Sequence, residues 1–160
     1  MSENRTNMVS LLDIGLLMGS TSKIVEMGDG YTELTESWGP EIDSKQYVNM
    51  KNKSSSLKGF AFSMSPEREY ISDEMQKCID YLFKNFPTGK ACETFYYRYY
   101  KTDIDTESKS GDCIKLPVIV APDSTGGSGG DPLTSTIQIS GNGDVVKETV
   151  TITESGWTFK

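Results

Sequence analysis

Three cysteines, Cys78, Cys92 and Cys113, are the side chains of this sequence best suited to nucleophilic or metal chemistry. Their number is odd and their spacings are wide. No CxxC pair occurs, so neither a zinc site nor a redox couple is indicated. The expected state is three reduced thiols in or near a core. The 160 residues contain no histidine. That removes Ser–His–Asp and Cys–His catalysis, histidine-ligated metals and a histidine pH switch. A carboxylate-pair hydrolase needs two acids converging in a cleft, whereas the acids here cluster in one stretch. The run 123–131, DSTGGSGGD, lacks the Lys-Ser/Thr pair and the following helix that a phosphate cradle requires. It reads as a flexible Gly/Ser loop. No enzyme activity, cofactor or metal is expected.

Composition bounds the remaining classes. The length suits one domain with a real core. Lys and Arg number 16 against 23 Asp and Glu, a formal net charge of −7. An acidic balance works against nucleic-acid binding and against docking on anionic membranes. The apolar stretch 8–19 is interrupted by Asp13 and has no cationic lead-in, so no secretory leader is expected. No apolar run approaches the length of a membrane span.

The elements that would position any site are mostly strands. Residues 1–20 form an expected N-terminal arm, ahead of one β domain over 21–160. Leu11, Leu12, Ile14, Leu16 and Leu17 are too apolar for a solvated tail. They either fold back on their own core or dock on another subunit.

Residues 28–56 form a long polar excursion with an acidic limb and a basic limb. Glu33, Glu36, Glu41 and Asp43 stand on the first, and Lys45, Lys51 and Lys53 on the second, with Trp38 between the acids. The limbs either neutralise each other within one hairpin or meet across a subunit interface and set its register.

Residues 57–64 alternate as a strand. Residues 72–86 predict an amphipathic helix with Ser72 as N-cap; Met75, Ile79, Leu82, Phe83 and Phe86 form its apolar face. The strand over 91–101 carries aromatics on both faces, so neither face is expected to be bare to water. A base-stacking platform is the alternative use of such a stripe, and the acidic balance opposes it. Pro117 places the strand over 114–121 at an edge or a bulge. The tight-turn signal at 141–144 lies between two alternating strands, and the chain ends in another. The class is mainly β: a sandwich or open barrel of seven or eight strands with one flanking helix.

The run 130–139, GDPLTSTIQI, followed by Gly141-Asn142-Gly143-Asp144 and a last alternating strand, is one recognisable feature. A second is the charged hairpin running into Tyr47-Val48-Asn49 and then 58–63, KGFAFS. A third is the helix leading on toward the Gly/Ser loop. In this order, over 28–160, they resemble the major tail tube protein family of long, non-contractile-tailed bacteriophages. The resemblance implies six copies joining their sheets into a ring around one inner barrel. The rings would stack head to tail around a tape measure protein, with a tail terminator and baseplate or tail-tip proteins as further partners. DNA would pass through the lumen in transit only, and the protein would be made in the host cytoplasm and reside in the virion. Asp144, Lys147 and Glu148 become lumen-facing candidates, while the leucine-rich arm and the hairpin residues become interface candidates.

Other virion rings are alternatives: a tail terminator, the inner tube of a contractile tail, or a head decoration protein. A non-catalytic β-sandwich binding carbohydrate through Trp38 and Trp157 is the alternative from another class. Both tryptophans would otherwise be buried in a core or interface.

Overall fold

The computed structural model describes residues 2–160; Met1, the first residue of the expected arm, lies outside the described residues. In chain order come β1 (Met8–Asp13), a short helix α1 (Ile14–Leu17), β2 (Ile24–Glu26), β3 (Pro40–Lys45) and β4 (Ser54–Phe60). Then follow β5 (Ser63–Met64), β6 (Glu67–Glu69), the helix α2 (Glu74–Asn85), β7 (Glu93–Tyr100), β8 (Ser110–Gly126), β9 (Thr134–Gly141), β10 (Val146–Thr153) and β11 (Gly156–Phe159). The mainly β class expected from the alternation is present. The strands are more numerous than expected because several are only two or three residues long.

The spine of the main sheet is β8, a strand of 17 residues, roughly 55 Å at the usual rise. One of its edges pairs with β7. The other edge is shared: β10 takes residues 110–115 and β9 takes residues 118–126. Pro117 falls in the gap where the partner changes, and its carbonyl accepts from the Asn142 N–H at 2.8 Å. The expectation of an edge strand is therefore corrected. The strand is central, and Pro117 is tolerated because that side of the ladder changes partner there; Pro122 sits beside a second irregularity, the register shift between Pro122 and Ser124. Likewise, the turn at 142–145 does not fold β9 onto β10. It carries the chain from one half of the β8 edge to the other.

The full order is β11-β10-β8-β7-β1-β2, with β5 and β6 on the outer side of β9. The sheet curls enough to bring β11 into contact with β2. Alternation along β7 serves two cores. Tyr96 lies with Leu12, Leu116, Val118, Ile137 and Ile139 under α2. Tyr97 and Tyr99 lie with Val9, Leu11, Cys113 and Val150 inside the curl, where Phe159 stacks on Tyr97 at 4.0 Å. Both faces of the aromatic strand are covered along its middle by its own chain, while Glu93 and Tyr100 at its ends are exposed.

The N-terminal segment is corrected most. Leu11, Leu12, Ile14 and Leu17 are buried, and Leu16 is half-buried. The reason is pairing: β1 sits between β2 and β7, with Leu12 opposite both Val25 and Tyr96. Asp13, which seemed to break the apolar run, caps α1. Its carboxylate accepts from the N–H groups of Leu16 (3.4 Å) and Lys23 (3.0 Å) and from the Ser22 hydroxyl.

Helix α2 begins one residue later than expected. Asp73, not Ser72, is the N-cap, accepting from the Gln76 N–H at 2.9 Å. Met75, Ile79 and Leu82 are buried as the periodicity requires. Phe83 is half-buried. Phe86 adopts a left-handed conformation that ends the helix and is largely exposed.

Asp73 has a second role that the sequence did not reveal. Arg68 is 1% exposed, and its guanidinium pairs with the Asp73 carboxylate, donates to the Asp29 carbonyl at 3.1 Å and lies over the Tyr31 ring. Burial opposes ionisation of Asp73, but the Arg68 hydrogen bond and the helix N–H groups outweigh it and hold the carboxyl below its ordinary 3.8. A lowered native pKa contributes stability that is complete above the ordinary value and is lost as pH falls through the lowered one. Asp73→Asn keeps the cap and loses the ion pair. Its stability deficit, measured by thermal melts across acid pH, is expected to be largest near neutrality and to shrink below about pH 4.

Candidate assembly surface

A second sheet stands apart from the first. β3 and β4 form an antiparallel hairpin, Pro40 opposite Phe60 and Lys45 opposite Ser54, and almost all of it is exposed. Neither strand pairs with any other among the described residues, so both outer edges are free. Such edges are a pairing hazard for an isolated chain and a resource for one that assembles. The hairpin also carries Ile42 (62% exposed), Tyr47, Val48, Leu57 and Phe60 open to solvent.

The excursion 28–56 expected from the charges is thus two things. Residues 40–60 are the hairpin. Residues 28–38 are a strap on the main sheet, bridged at Tyr31 to Arg68 and at Ser37 to Ser63. The two-signed limbs therefore face each other only in part. Asp43 pairs with Lys58 at 2.8 Å. Glu41, Lys45, Lys51 and Lys53 have no ion pair among the described residues and remain available to a partner. Glu33 accepts from the Thr35 hydroxyl at 3.3 Å and has no ion pair among the described residues.

Glu36 is corrected as an interface candidate, because it is consumed inside the chain. Its Oε2 accepts from the Tyr96 hydroxyl at 2.6 Å and lies 3.2 Å from Arg98 Nε, an ion pair not aligned as a hydrogen bond. Its Oε1 accepts from Trp38 Nε1 at 3.1 Å. The Ser10 hydroxyl lies 3.0 Å from the Tyr96 oxygen. Burial, and then the neighbouring carboxylate, hold the Tyr96 phenol well above its ordinary value. This cluster pins the strap to the sheet directly before the hairpin leaves it.

Trp38 continues the anchorage. Its ring packs against Phe62 (4.7 Å) and edge-on against Phe60 (6.4 Å). Its carbonyl accepts from the Ala61 N–H at 2.9 Å. That bond ends β4 and separates it from β5, so the single strand expected over 57–64 is broken at Ala61-Phe62. Gly39 is required here. It has φ +45°, and a Cβ would sit 2.8 Å from the Ala61 oxygen. Trp157 is also engaged internally, donating to the Tyr99 hydroxyl at 3.0 Å. Neither tryptophan forms the open platform that a carbohydrate site would use.

The lumen candidates divide. Lys147 and Glu148 are successive residues of β10 and point to opposite faces. Glu148 is largely covered beside Lys115 (3.9 Å), while Lys147 is exposed beside Asp112 (3.7 Å). Asp144 is exposed, without an ion pair, at the end of a groove of about 600 Å³ beneath the hairpin foot.

Among the described residues no group of three or more His, Cys, Asp or Glu is placed to hold a metal ion. Cys78 and Cys113 are buried, and Cys92 is partly exposed. Burial pushes the Cys78 thiol up to about 12; burial, followed by Glu148 and Asp112, pushes Cys113 up to about 11. A colorimetric thiol titration at about pH 8 is expected to find one prompt thiol, Cys92, in the native protein and all three after denaturation.

No family model and no curated protein matches the sequence. Solved structures do match the fold. A chain in the virion of a native gene transfer agent particle superposes with TM-score 0.61 at 11% identity, over 91% of this chain and 98% of that one. A chain in the tail of an empty gene transfer agent particle, refined with C6 symmetry, gives 0.59 at 12% identity over 91% and 98%. A chain in the tube-terminating cap of the anti-feeding prophage gives 0.53 at 7% identity over 93% and 92%. At such identities the likeness is one of fold. It runs nearly the whole length of each chain, so it includes both cores of the main sheet.

Proposed function

We propose that this protein is a structural virion subunit that closes into rings of six and stacks into the tube of a phage-type tail. The observation that carries this reading is the end-to-end fold similarity to a chain of a C6-symmetric tail. The projecting hairpin supports it independently, since free edges and exposed apolar side chains need a partner that identical copies supply. Rings would stack around a tape measure protein and meet terminator and baseplate components at the tube ends. DNA would only pass through. Duplex DNA carries about one negative charge per 1.7 Å, and a chain of net charge −7 would let it slide where a basic lumen would hold it.

A second reading is the tube terminator, favoured by the similarity to the anti-feeding prophage cap and, at TM-score 0.53, to a sheath/tube terminator of a contractile injection system. Negative-stain microscopy of concentrated protein, with and without a tape measure fragment, separates the two. A tube subunit gives open-ended tubes of repeating rings, whereas a terminator gives single rings that do not elongate. Strictly monomeric protein by sedimentation, with no rings under either condition, would rule out both.

A further inference from the structure

We propose that the groove at the hairpin foot receives the hairpin tip of a second copy of this chain. The inference rests on the ring-former reading and names the two surfaces that would meet. The groove is lined by Trp38, Phe60, Leu116, Gly141, Asp144 and Val145. Two interruptions create it. β4 parts from β5 at Ala61-Phe62, and the chain jogs at 142–145 where β8 exchanges β9 for β10. Glycines at 59, 141 and 143 keep side chains out of it, and a Cβ on Gly59 would meet nothing within 4 Å. Phe60 and Val145 are 62% and 44% exposed along it. Asp144 has no ion-pair partner among the described residues. Glu93 accepts from Asn142 at 3.4 Å, which sets a second carboxylate at the same end.

The tip offers the complement. Residues 45–53 carry Lys45, Lys51 and Lys53 and no acid. None of the three lysines makes an ion pair among the described residues. Tyr47 and Val48 beside them are exposed with nothing to cover them. Apolar side chains flanked by cations match an apolar groove ended by carboxylates. The tip cannot serve its own foot. The antiparallel register of β3 and β4 holds the two apart by six residue pairs, about 20 Å. Tip-to-foot contact is therefore between copies, and repeated head to tail from copy to copy it is heterologous, the kind that generates closed rings or filaments.

The test uses a Cys92→Ser background, which removes the partly exposed native thiol. Chains carrying Val48→Cys and chains carrying Val145→Cys are mixed and oxidised under assembly conditions. A disulfide-linked pair containing one chain of each kind is expected, and neither variant alone should form it. Gly59→Trp, which fills the groove from an open position, is expected to melt like the wild type yet fail to assemble where the wild type does. Rings that form without the cross-link, or Gly59→Trp rings indistinguishable from wild type, overturn the groove assignment and leave the ring-former reading standing. A wild type that forms no rings, together with no cross-link between the two cysteine variants, overturns both.

Discussion

Reversing Lys51 and Lys53 to Glu is expected to raise the concentration needed for assembly about 100-fold while leaving the monomer's melting temperature nearly unchanged. Both residues lie at the exposed end of the hairpin, and neither side chain makes an ion pair among the described residues. Surface substitutions of that kind usually change stability by under about 0.5 kcal/mol. Across an interface the accounting differs. Like charges brought together cost several kcal/mol, and about 2.7 kcal/mol is a hundredfold in affinity. Sedimentation of the variant across a concentration series, beside its thermal melt, gives both quantities. Asp43 and Lys58 are the internal control. Their exposed bridge spans the hairpin itself, and losing it costs at most about 1 kcal/mol. If the Lys51/Lys53 reversal lowered the melting temperature as much as it impaired assembly, the basic limb would be serving its own hairpin.

Leu12→Ala is expected to cost about 2–5 kcal/mol, the range for emptying a fully buried leucine site. For a chain of this length that corresponds to a fall of roughly 10 °C in melting temperature. Leu12 has no exposed surface and belongs to the core under α2, opposite Tyr96 on one side and Val25 on the other. A mobile arm would give the opposite result, an unchanged melt and weakened assembly. Calorimetry of the dilute monomer distinguishes the two outcomes directly.

Features with a short sequence period were legible in the sequence. Alternation in 93–100 and 134–152 located β7, β9 and β10, and the three-and-four spacing from Met75 to Leu82 located α2. The hairpin was legible as a charge pattern, though its limits were not, because charge does not mark where pairing begins. Contacts across long separations were out of reach. Glu36 looked like one more acid in an acidic run, and its partner Tyr96 lies 60 residues away. Arg68 sat in an unremarkable polar stretch, ERE, although strict alternation between two exposed glutamates was a usable hint that it faced inward. The leucine-rich segment was ambiguous for a physical reason. A strand buried on both faces loses its alternation and then resembles any apolar peptide.

The divided edge of β8 has a mechanical consequence. Its Cys113 belongs to the core inside the curl and its Leu116, Val118 and Val120 to the core under α2, so neither core can open without disturbing a strand that the other shares. The strand works as a lap joint. Tension applied between β11 and β9 is carried as shear along hydrogen bonds that must fail together. The two cores should therefore exchange their slowest amide hydrogens at a common rate, as one cooperative unit. In the proposed tube, a wall that must keep its bore while a polymer is driven through it would benefit from subunits that do not yield in halves.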